Sequence, residues 1–268
     1  FGMGNGSGRV EAGPWPRAKL QRWLQEVGPD LGRCCVLVST GALNPVHQGH
    51  RHMMDLARQR LTEEGYSVLG GWLSPSHRQY VDGKSRAYGV EAFETEDRVE
   101  LTRLACASSD WLDVGLYECD ERHAHWPDFP SVLKAASLDV QSAIAEAGLV
   151  GVTADVFYVC GEDLYSRSGL HRGLAWWSAE LGVVVVSREG EGAAEDPGKK
   201  IFAVGVEKAP DTQTFSSTRL REALRRGDLA KIASMLPAGV SAEAVQESFT
   251  RAAKRSSSWV VVAQHEET

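Results

Sequence analysis

Three histidines, His47, His50 and His52, fall within six residues of the stretch GALNPVHQGHRHMMDLAR. Histidine side chains can bind a metal, hydrogen-bond an anion or fill a packed core. No carboxylate or cysteine has the spacing that would complete a zinc ligand set with them, so we expect no metal site. A helix predicted to start near Gln48 directs its free N–H groups into the loop that carries His47. This arrangement favours an anion.

The three histidines are expected to face different surroundings. His50 lies three and four residues before Met53 and Met54, so it shares their buried face of the helix while still reaching the crevice at its start. His52 points elsewhere, and we interpret it as a surface residue. We predict that His47 and His50 hydrogen-bond an anion more strongly as charge develops on it. A packed core role for His50 is the alternative.

A second polar cluster opens another predicted helix, in the stretch TFSSTRLREALRRGD. Ser216 is a suitable N-cap, and Ser217 and Thr218 place hydroxyls beside free N–H groups. Arg219 and Arg221 add guanidinium groups, which match phosphate oxygens. An ordinary capped, basic surface helix is the alternative. Together the two helix starts suggest one site for a reacting phosphate and another for a leaving pyrophosphate.

The elements that must position these groups alternate between strands and helices. This alternation predicts an α/β fold, with a mostly parallel sheet covered by helices on both faces. Ligands then bind beyond the carboxyl ends of the strands. The expected strands are 34–39, 66–73, 111–117, 155–160, 182–187 and 201–206. The expected helices are 16–27, 48–61, 95–107 with Thr95 as its cap, 131–147, 216–226 and 228–235.

Some stretches lack this periodicity. Residues 74–94 are polar and turn-rich, and predict a long loop that could close as a lid; residues 189–200 predict a mobile loop. We expect one domain over residues 16–255, with a flexible lead-in at 1–15 and a tail at 256–268. The tail could form an edge strand or be disordered. The lead-in has neither the basic nor the apolar region of a signal peptide.

Composition narrows the class of protein. Of 268 residues, 43% are apolar and 24% charged, as in soluble globular proteins, and the net charge of −7 argues against a general nucleic-acid binder. The apolar runs are too short to span a bilayer. Five scattered cysteines predict reduced core residues of an intracellular protein. We therefore expect a cytoplasmic or nuclear protein that binds small molecules, neither nucleic acid nor membranes, and leave homo-oligomerisation open.

The two motifs also resemble those of a known superfamily. GALNPVHQGH resembles the G-x-F-x-P-x-H-x-G-H signature of the HxGH nucleotidylyltransferases, and FSSTRLR resembles their I-S-S-T-x-x-R signature. Within this superfamily, the chain is most similar to nicotinamide/nicotinic acid mononucleotide adenylyltransferases of the eukaryotic type. The supporting stretches are GGWLSPSHRQYVDGK, SDWLDVGLYE, VCGEDLYS and VVVVSREG. The resemblance covers residues 34–235 and implies a Rossmann-like nucleotidylyltransferase fold.

The resemblance implies a reaction and its cofactors. AMP would pass from ATP to nicotinamide or nicotinate mononucleotide, giving NAD or its acid form and pyrophosphate, with Mg²⁺ present. The phosphate of the mononucleotide would attack the α-phosphorus of ATP in line. Two alternatives stay open: another nucleotidylyltransferase that uses CTP or a different phosphate acceptor, and a nucleotide-binding regulator without enzymatic activity.

The resemblance also implies roles for individual residues. His47, His50 and Arg221 would act on the ATP phosphates during catalysis. The residues implied to bind the nucleotides are Gly41, Ala42, Lys84, Tyr117, Glu118, Gly161, Asp163, Trp176, Ser217, Thr218 and Arg219.

The ring-binding positions differ from the family pattern. Tyr117 stands where the family has a tryptophan that stacks on the pyridine ring, and Trp176 or Trp177 would supply the opposite wall. Ala42 and Leu43 replace the usual Ser-Phe, so a hydroxyl near the mononucleotide is missing. These differences affect the choice of acceptor more than the adenylyl transfer itself.

Overall fold

The short apolar runs of the sequence form one parallel sheet. A computed structural model describes residues 13–27, 32–187, 192–205 and 216–265, and the side chains of all these except residues 27 and 258–265. The strands of this part of the chain are β1 (Arg33–Gly41), β2 (Tyr66–Pro75), β3 (Leu112–Val114), β4 (Ala154–Gly161), β5 (Leu181–Val186) and β6 (Ile201–Val204). They form one six-stranded sheet in the order β3-β2-β1-β4-β5-β6, and every neighbouring pair is parallel.

Helices cover both faces of the sheet, which confirms the predicted fold class and explains why the strands are apolar throughout. The helices are α1 (Ala18–Val27), α2 (Gln48–Glu63), α3 (Arg78–Tyr88), α4 (Thr95–Ala107), α5 (Phe129–Glu146), α6 (Glu162–Arg167), α7 (Ser217–Arg226), α8 (Leu229–Met235) and α9 (Ala242–His265). Alternate residues of β1 enter different cores: Cys35 and Leu37 pack with α2, α4, α7, α8 and α9, whereas Val36 and Val38 pack with α1 and α5.

The strand order reverses between β1 and β4, which are neighbours in the sheet although β2 and β3 separate them in the chain. A crevice opens at the carboxyl ends of two such strands because their connections leave in opposite directions. β1 ends at Gly41 and β4 ends at Gly161. The loops after these two glycines therefore begin at the position where the topology predicts a ligand.

Several predicted boundaries were wrong. The strand predicted over 111–117 has three residues, since only Leu112–Val114 pairs with β2 at the edge of the sheet. β6 ends at Val204, and residue 206 of its predicted range lies outside the described residues. The N-cap of α4 is Glu94 rather than Thr95. The Thr95 hydroxyl instead accepts a hydrogen bond from Arg98, one turn along the helix.

The prediction of a long loop at 74–94 was also wrong, because this segment contains helix α3. His77 caps the helix by accepting a hydrogen bond from the backbone N–H of Gln79, and Gly89 ends it in the left-handed conformation. Only Val81 and Ser85 of the helix are buried. Two buried residues one turn apart give too weak a periodicity to detect in a polar sequence.

Helix α9 runs across the predicted boundary at residue 255, so the tail that follows is neither an edge strand nor disordered up to residue 265. The first half of α9 is anchored in the core by Val245, Phe249 and Ala252. Arg251 also pairs with Asp97 of α4. Tertiary contacts rather than local sequence therefore hold this helix in place.

Two other irregular stretches contain local structure. Trp15, the last residue of the predicted lead-in, is 2% exposed and packs edge-on against Trp72; residues 1–12 lie outside the described part. Of the predicted mobile loop at 189–200, residues 189–191 are likewise outside, and Pro197–Lys199 forms a 3-10 turn.

All five cysteines are buried free thiols, which confirms their predicted position in the core. Among the helices of the described residues, we find none with the length and apolarity needed to cross a bilayer.

Candidate active site

The start of α2 holds two imidazoles in contact, with ring planes tilted by 35° to each other. His47 is the N-cap, and its Nδ1 accepts a hydrogen bond of 3.1 Å from the backbone N–H of Gly49. Nδ1 of His50 accepts one of 3.2 Å from the backbone N–H of His47, and the two ring centroids are 3.9 Å apart. Since Nδ1 of each ring accepts, the proton of the neutral ring lies on Nε2. Each imidazole is thus oriented to donate a hydrogen bond from Nε2.

The start of α7 is fastened to the loop that leads into α2. As predicted, Ser216 is the N-cap, and its hydroxyl accepts a hydrogen bond from the backbone N–H of Arg219. Ser217 donates to the carbonyl of Pro45 at 3.1 Å, and Arg221 donates to the carbonyl of Asn44 at 2.6 Å. These contacts join two helix starts across 172 and 177 positions of the chain.

Arg221 is a buried cation at this junction. Its side chain is largely enclosed, and the second guanidinium nitrogen donates to the hydroxyl of Thr218 at 3.4 Å. Burial, with the charge of Arg225, lowers the pKa of Arg221 below its usual value. A guanidinium with so high an ordinary pKa stays charged in this setting. It provides a fixed positive charge beside the hydroxyls of α7.

Asn44 organises the same loop and was missed by the sequence analysis. Its side-chain amide donates to the carbonyl of Glu91 and accepts from the backbone N–H of Phe93, both at 2.8 Å. It therefore ties the loop after β1 to the segment between α3 and α4. An asparagine before Pro45 indicates only a turn, so no sequence signal pointed to these partners.

The two helix starts line one cavity, which we call the histidine cavity, of about 640 Å³. The predicted residues on its wall are Ala42, His47, His50, Lys84, Gly161, Ser217, Thr218 and Arg221. Apolar side chains, including Met53 and Leu56, line another part of it. His52 also lies on this wall and is half-buried, so its interpretation as a surface residue was wrong.

A second cavity of about 640 Å³, the aromatic cavity, adjoins the first. Ala42, Lys84 and Gly161 line both. Its wall also contains the predicted residues Gly41, Glu118 and Asp163, and four aromatic side chains that we did not predict, Tyr80, Trp126, Phe129 and Tyr158. Because Trp126 follows β3 in a polar, irregular segment, no periodicity identified it as part of a binding site.

Glu118 is a buried carboxyl on the wall of the aromatic cavity. It is 7% exposed, and its Oε2 accepts a hydrogen bond of 3.2 Å from the Ser74 hydroxyl. Burial raises the pKa of Glu118 to about 7, although the hydroxyls of Ser76 and Ser74 and the charge of Arg98 oppose the shift. A carboxyl with this pKa changes its charge near neutral pH.

Arg98, another residue that we missed, clamps the loops behind this wall. Its guanidinium donates to the carbonyl of Ala42 at 3.1 Å and to the carbonyl of Ser76 at 2.8 Å. The side chain is 1% exposed, and burial lowers the pKa of Arg98. An arginine in the middle of an amphipathic helix is ordinarily exposed, so the sequence did not indicate this role.

Three predicted binding residues line neither cavity. Tyr117 stacks on Trp15, with centroids 6.1 Å apart, and its other neighbour is His123 at 4.8 Å. Trp15, which we had assigned to a flexible lead-in, thus occupies the face on which a pyridine ring was expected. Trp176 is 68% exposed and hydrogen-bonds its own turn. The side chain of Arg219 is exposed on the outer surface of α7.

Among the described residues, no group of three or more histidine, cysteine, aspartate or glutamate side chains could hold a metal ion.

Comparison with known proteins gives consistent matches. The family model described as cytidylyltransferase-like matches residues 38–223, a range that includes both helix starts of the histidine cavity. A nicotinamide/nicotinic acid mononucleotide adenylyltransferase of Oryza sativa subsp. japonica is 30% identical over 190 residues, or 66% of this chain and 68% of the rice protein. The protein of that name from Arabidopsis thaliana is 29% identical over 207 residues, or 72% and 81% of the two chains.

A solved structure of a Plasmodium falciparum nicotinic acid mononucleotide adenylyltransferase complexed with APC also matches. It aligns over 76% of this chain and 90% of that chain, with 13% identity and a TM-score of 0.49.

Proposed function

This chain belongs to the cytidylyltransferase-like family and, within it, to the nicotinamide/nicotinic acid mononucleotide adenylyltransferases, and we propose that it makes a pyridine dinucleotide by adenylyl transfer. The substrates are ATP and nicotinamide or nicotinate mononucleotide, and the products are NAD or its acid form and pyrophosphate. One observation carries this proposal: two helix N-termini, one with His47 and His50 and the other with Ser217, Thr218 and Arg221, line the same cavity.

Such a cavity suits a nucleoside triphosphate. Helix N-termini attract anions through unpaired N–H groups, and two of them, with Arg221, can neutralise the several charges of a polyphosphate. The apolar side chains of Met53 and Leu56 offer a surface for the adenosine. The adjoining aromatic cavity is large enough for the mononucleotide, and the shared wall brings the two reacting groups together.

The reaction needs positioning and charge stabilisation but no covalent enzyme intermediate. A phosphate oxygen of the mononucleotide bonds to the α-phosphorus of ATP as the bond to the bridging oxygen breaks, and pyrophosphate leaves with the electron pair. His47 and His50 donate from Nε2 to the oxygens on which charge increases. Ser217, Thr218 and Arg221 hold the β- and γ-phosphates.

The side chains present fit a Mg²⁺ that arrives with ATP. Because this ion keeps several waters and binds mainly through substrate phosphates, it needs no dedicated cage of protein ligands. The side chains that line the phosphate region are consistent with an ion held by the substrate: they are hydroxyls, imidazoles and the guanidinium of Arg221. Among the described residues, no acidic cluster could form a cage of protein ligands. When bound, Mg²⁺ supplies neutralisation of the phosphate charge.

The test is incubation of the purified protein with ATP, Mg²⁺ and each mononucleotide, with the dinucleotide and pyrophosphate measured by chromatography. We expect stoichiometric release of both. Parallel reactions with CTP, and with other phosphate acceptors, test the alternative of another nucleotidylyl transfer. Absence of dinucleotide with both mononucleotides would refute the proposal, and turnover with CTP alone would replace it by that alternative.

We also propose that the protein acts in the cytoplasm or nucleus on small molecules, without nucleic-acid or membrane partners, as a monomer or homo-oligomer. The five buried free thiols support a reducing compartment. Cell fractionation and sedimentation of the purified protein test compartment and assembly.

A further inference from the structure

Helix α3 forms a wall that the two cavities share. Five of its residues line one cavity or the other, namely Tyr80, Val81, Lys84, Ser85 and Tyr88. Of these, Lys84 lines both, so it lies on the boundary where the proposed reaction brings the two phosphates together. Misplacement of such a charged group by about 1 Å can cost on the order of 10²-fold in rate. The position of α3 therefore matters for the proposed reaction.

The core gives this helix little hold. Only Val81 and Ser85 of its 11 residues are buried, one turn apart on a single narrow stripe. Most of the stability of a helix in a protein comes from the packing of its apolar face, and a short helix is marginal without it. We therefore expect that contacts from other elements fix α3 in place.

Arg255 of α9 supplies such a contact. Its Nη2 donates to Oδ1 of Asp82 in α3 at 3.0 Å and to the carbonyl of Ala92, in the segment after α3, at 2.9 Å. Its Nε lies 3.0 Å from Oε1 of Glu94, the N-cap of α4. One guanidinium thus connects α9 to α3, to the segment that follows α3 and to the start of α4.

The pair between Arg255 and Asp82 is largely enclosed, with side chains that are 17% and 16% exposed. Partly buried pairs are screened by salt much less than exposed ones, and a planar guanidinium with several acceptors has a defined orientation. The other cation near Asp82 is Arg78, which belongs to α3 itself and is 46% exposed. Its pairing with Asp82 therefore does not attach the helix to the rest of the protein.

The base of this contact on α9 is firmly packed. Phe249 and Ala252 of α9 are buried in the core, and the ring of Phe249 contacts that of Phe93 with centroids 6.2 Å apart. The backbone N–H of Ala92 donates to the hydroxyl of Ser256 at 3.4 Å. Both backbone polar groups of Ala92 are thus bonded to α9, so this helix provides a fixed support for α3.

We propose that Arg255 is a positioning residue for adenylyl transfer, which through Asp82 holds α3 so that Lys84 stays on the boundary of the two cavities. This inference rests on the proposed function and gives α9 a part in it. Arg255 lines neither cavity, so it acts through α3 and does not touch a substrate.

The test is a double-mutant cycle of Arg255→Met and Lys84→Met. The rate of pyrophosphate release is measured at saturating ATP with varied mononucleotide, using whichever mononucleotide the wild type converts faster. We expect each single variant to lower kcat/KM about tenfold. If Arg255 acts through Lys84, the double variant should stay within about twofold of Lys84→Met alone. A general loosening of the fold would instead lower kcat/KM by the same factor in both backgrounds.

Arg251→Met is the matched control. Arg251 lies one turn earlier on the same helix, is 56% exposed and pairs with Asp97 of α4 at 2.6 Å. The same substitution there removes an ion pair that does not reach α3, so kcat/KM should stay within about twofold of wild type. Arg255→Lys, which keeps a cation near Asp82 but not the planar fork, should recover part of the loss.

Two results would overturn the inference while leaving adenylyl transfer intact: a wild-type kcat/KM in either single variant, or losses that multiply in the double variant. Absence of dinucleotide with the wild type would instead refute the proposed function, and the inference with it. Should Arg255→Met not fold, Asp82→Asn weakens the same pair from the side of α3 and takes its place in the cycle, with the same expected results.

Discussion

In the proposed reaction, His47 combines a structural and a chemical role in one side chain. Its Nδ1 caps α2 through the backbone N–H of Gly49, which leaves Nε2 as the donor to a ligand in the histidine cavity. Asparagine is also a good N-cap acceptor, but it has no group that reproduces the imidazole Nε2 donor. The two roles can therefore be separated by substitution.

We predict that His47→Asn lowers kcat by 10²–10³-fold, the typical cost of removing one donor to developing charge, with little change in stability. His47→Ala should lose a similar factor in kcat and in addition about 1 kcal/mol of stability, since the cap is removed. Steady-state rates and urea unfolding of both variants provide the measurements. A fully active His47→Asn would show that the imidazole has no part in the reaction.

At the scale of elements, one glycine inside α3 and one at its C-cap have opposite requirements. Gly83 lies inside the helix, and a Cβ at this position would have no heavy atom within 4 Å. Gly89 ends the helix with φ of 59°, a conformation that other residues rarely adopt.

Gly83→Ala is predicted to stabilise the protein by about 0.5–1 kcal/mol, because alanine loses less backbone entropy in a helix. Gly89→Ala should destabilise it by about 1 kcal/mol through left-handed strain. Thermal unfolding of this matched pair, which adds the same methyl group to the same helix, gives both signs. Shifts of the same sign would show that α3 does not have these boundaries in solution.

Arg98 connects α4 to the loops after β1 and β2 at the rear of the candidate site. Arg98→Met removes a charged donor and leaves two buried carbonyls without it, so we expect a loss of about 3 kcal/mol in the free energy of unfolding. Arg103→Met is the control: it is exposed on the same helix and should change the free energy by less than about 0.5 kcal/mol. Similar urea midpoints for both variants would contradict the clamp.

At the scale of the whole molecule, Glu118 couples folding to pH. Burial raises its pKa from 4.5 to about 7, so the folded state binds this proton more tightly than the unfolded chain does. The stability that the neutral carboxyl contributes is fully present below pH 4.5 and is lost as pH rises through about 7.

Glutamine at position 118 cannot titrate. Between pH 5 and pH 8 the wild type should therefore lose on the order of 3 kcal/mol of unfolding free energy relative to Glu118→Gln. Urea unfolding of both proteins at the two pH values measures this difference, and groups such as His77 cancel because both proteins contain them. A difference that does not change with pH would mean that Glu118 titrates normally in the folded state.

Much of this architecture could be predicted because its signals are local. Apolar runs such as CCVLVS and VVVV predict buried strands, and Ser216 and Gly227 bound α7 through their own conformational preferences. The parallel α/β fold follows from the alternation of such elements. The pairing of HQGH with SSTR was inferred from the polar groups at two predicted helix starts, and the resemblance of both motifs to a single family agreed with it.

Other features of the candidate site depend on contacts between residues that are distant in the chain, and only the tertiary structure decided them. Arg221 meets Asn44 across 177 positions of the chain, and Trp15 covers the ring of Tyr117 that the sequence had assigned to a ligand. No periodicity or motif spacing in the sequence signals either contact, because side chains so far apart in the chain are brought together only by the order of strands in the sheet. By itself the sequence determined most of the strands and helices and the two motifs at the starts of α2 and α7. The packing of the elements decided which aromatic and charged side chains line the two cavities.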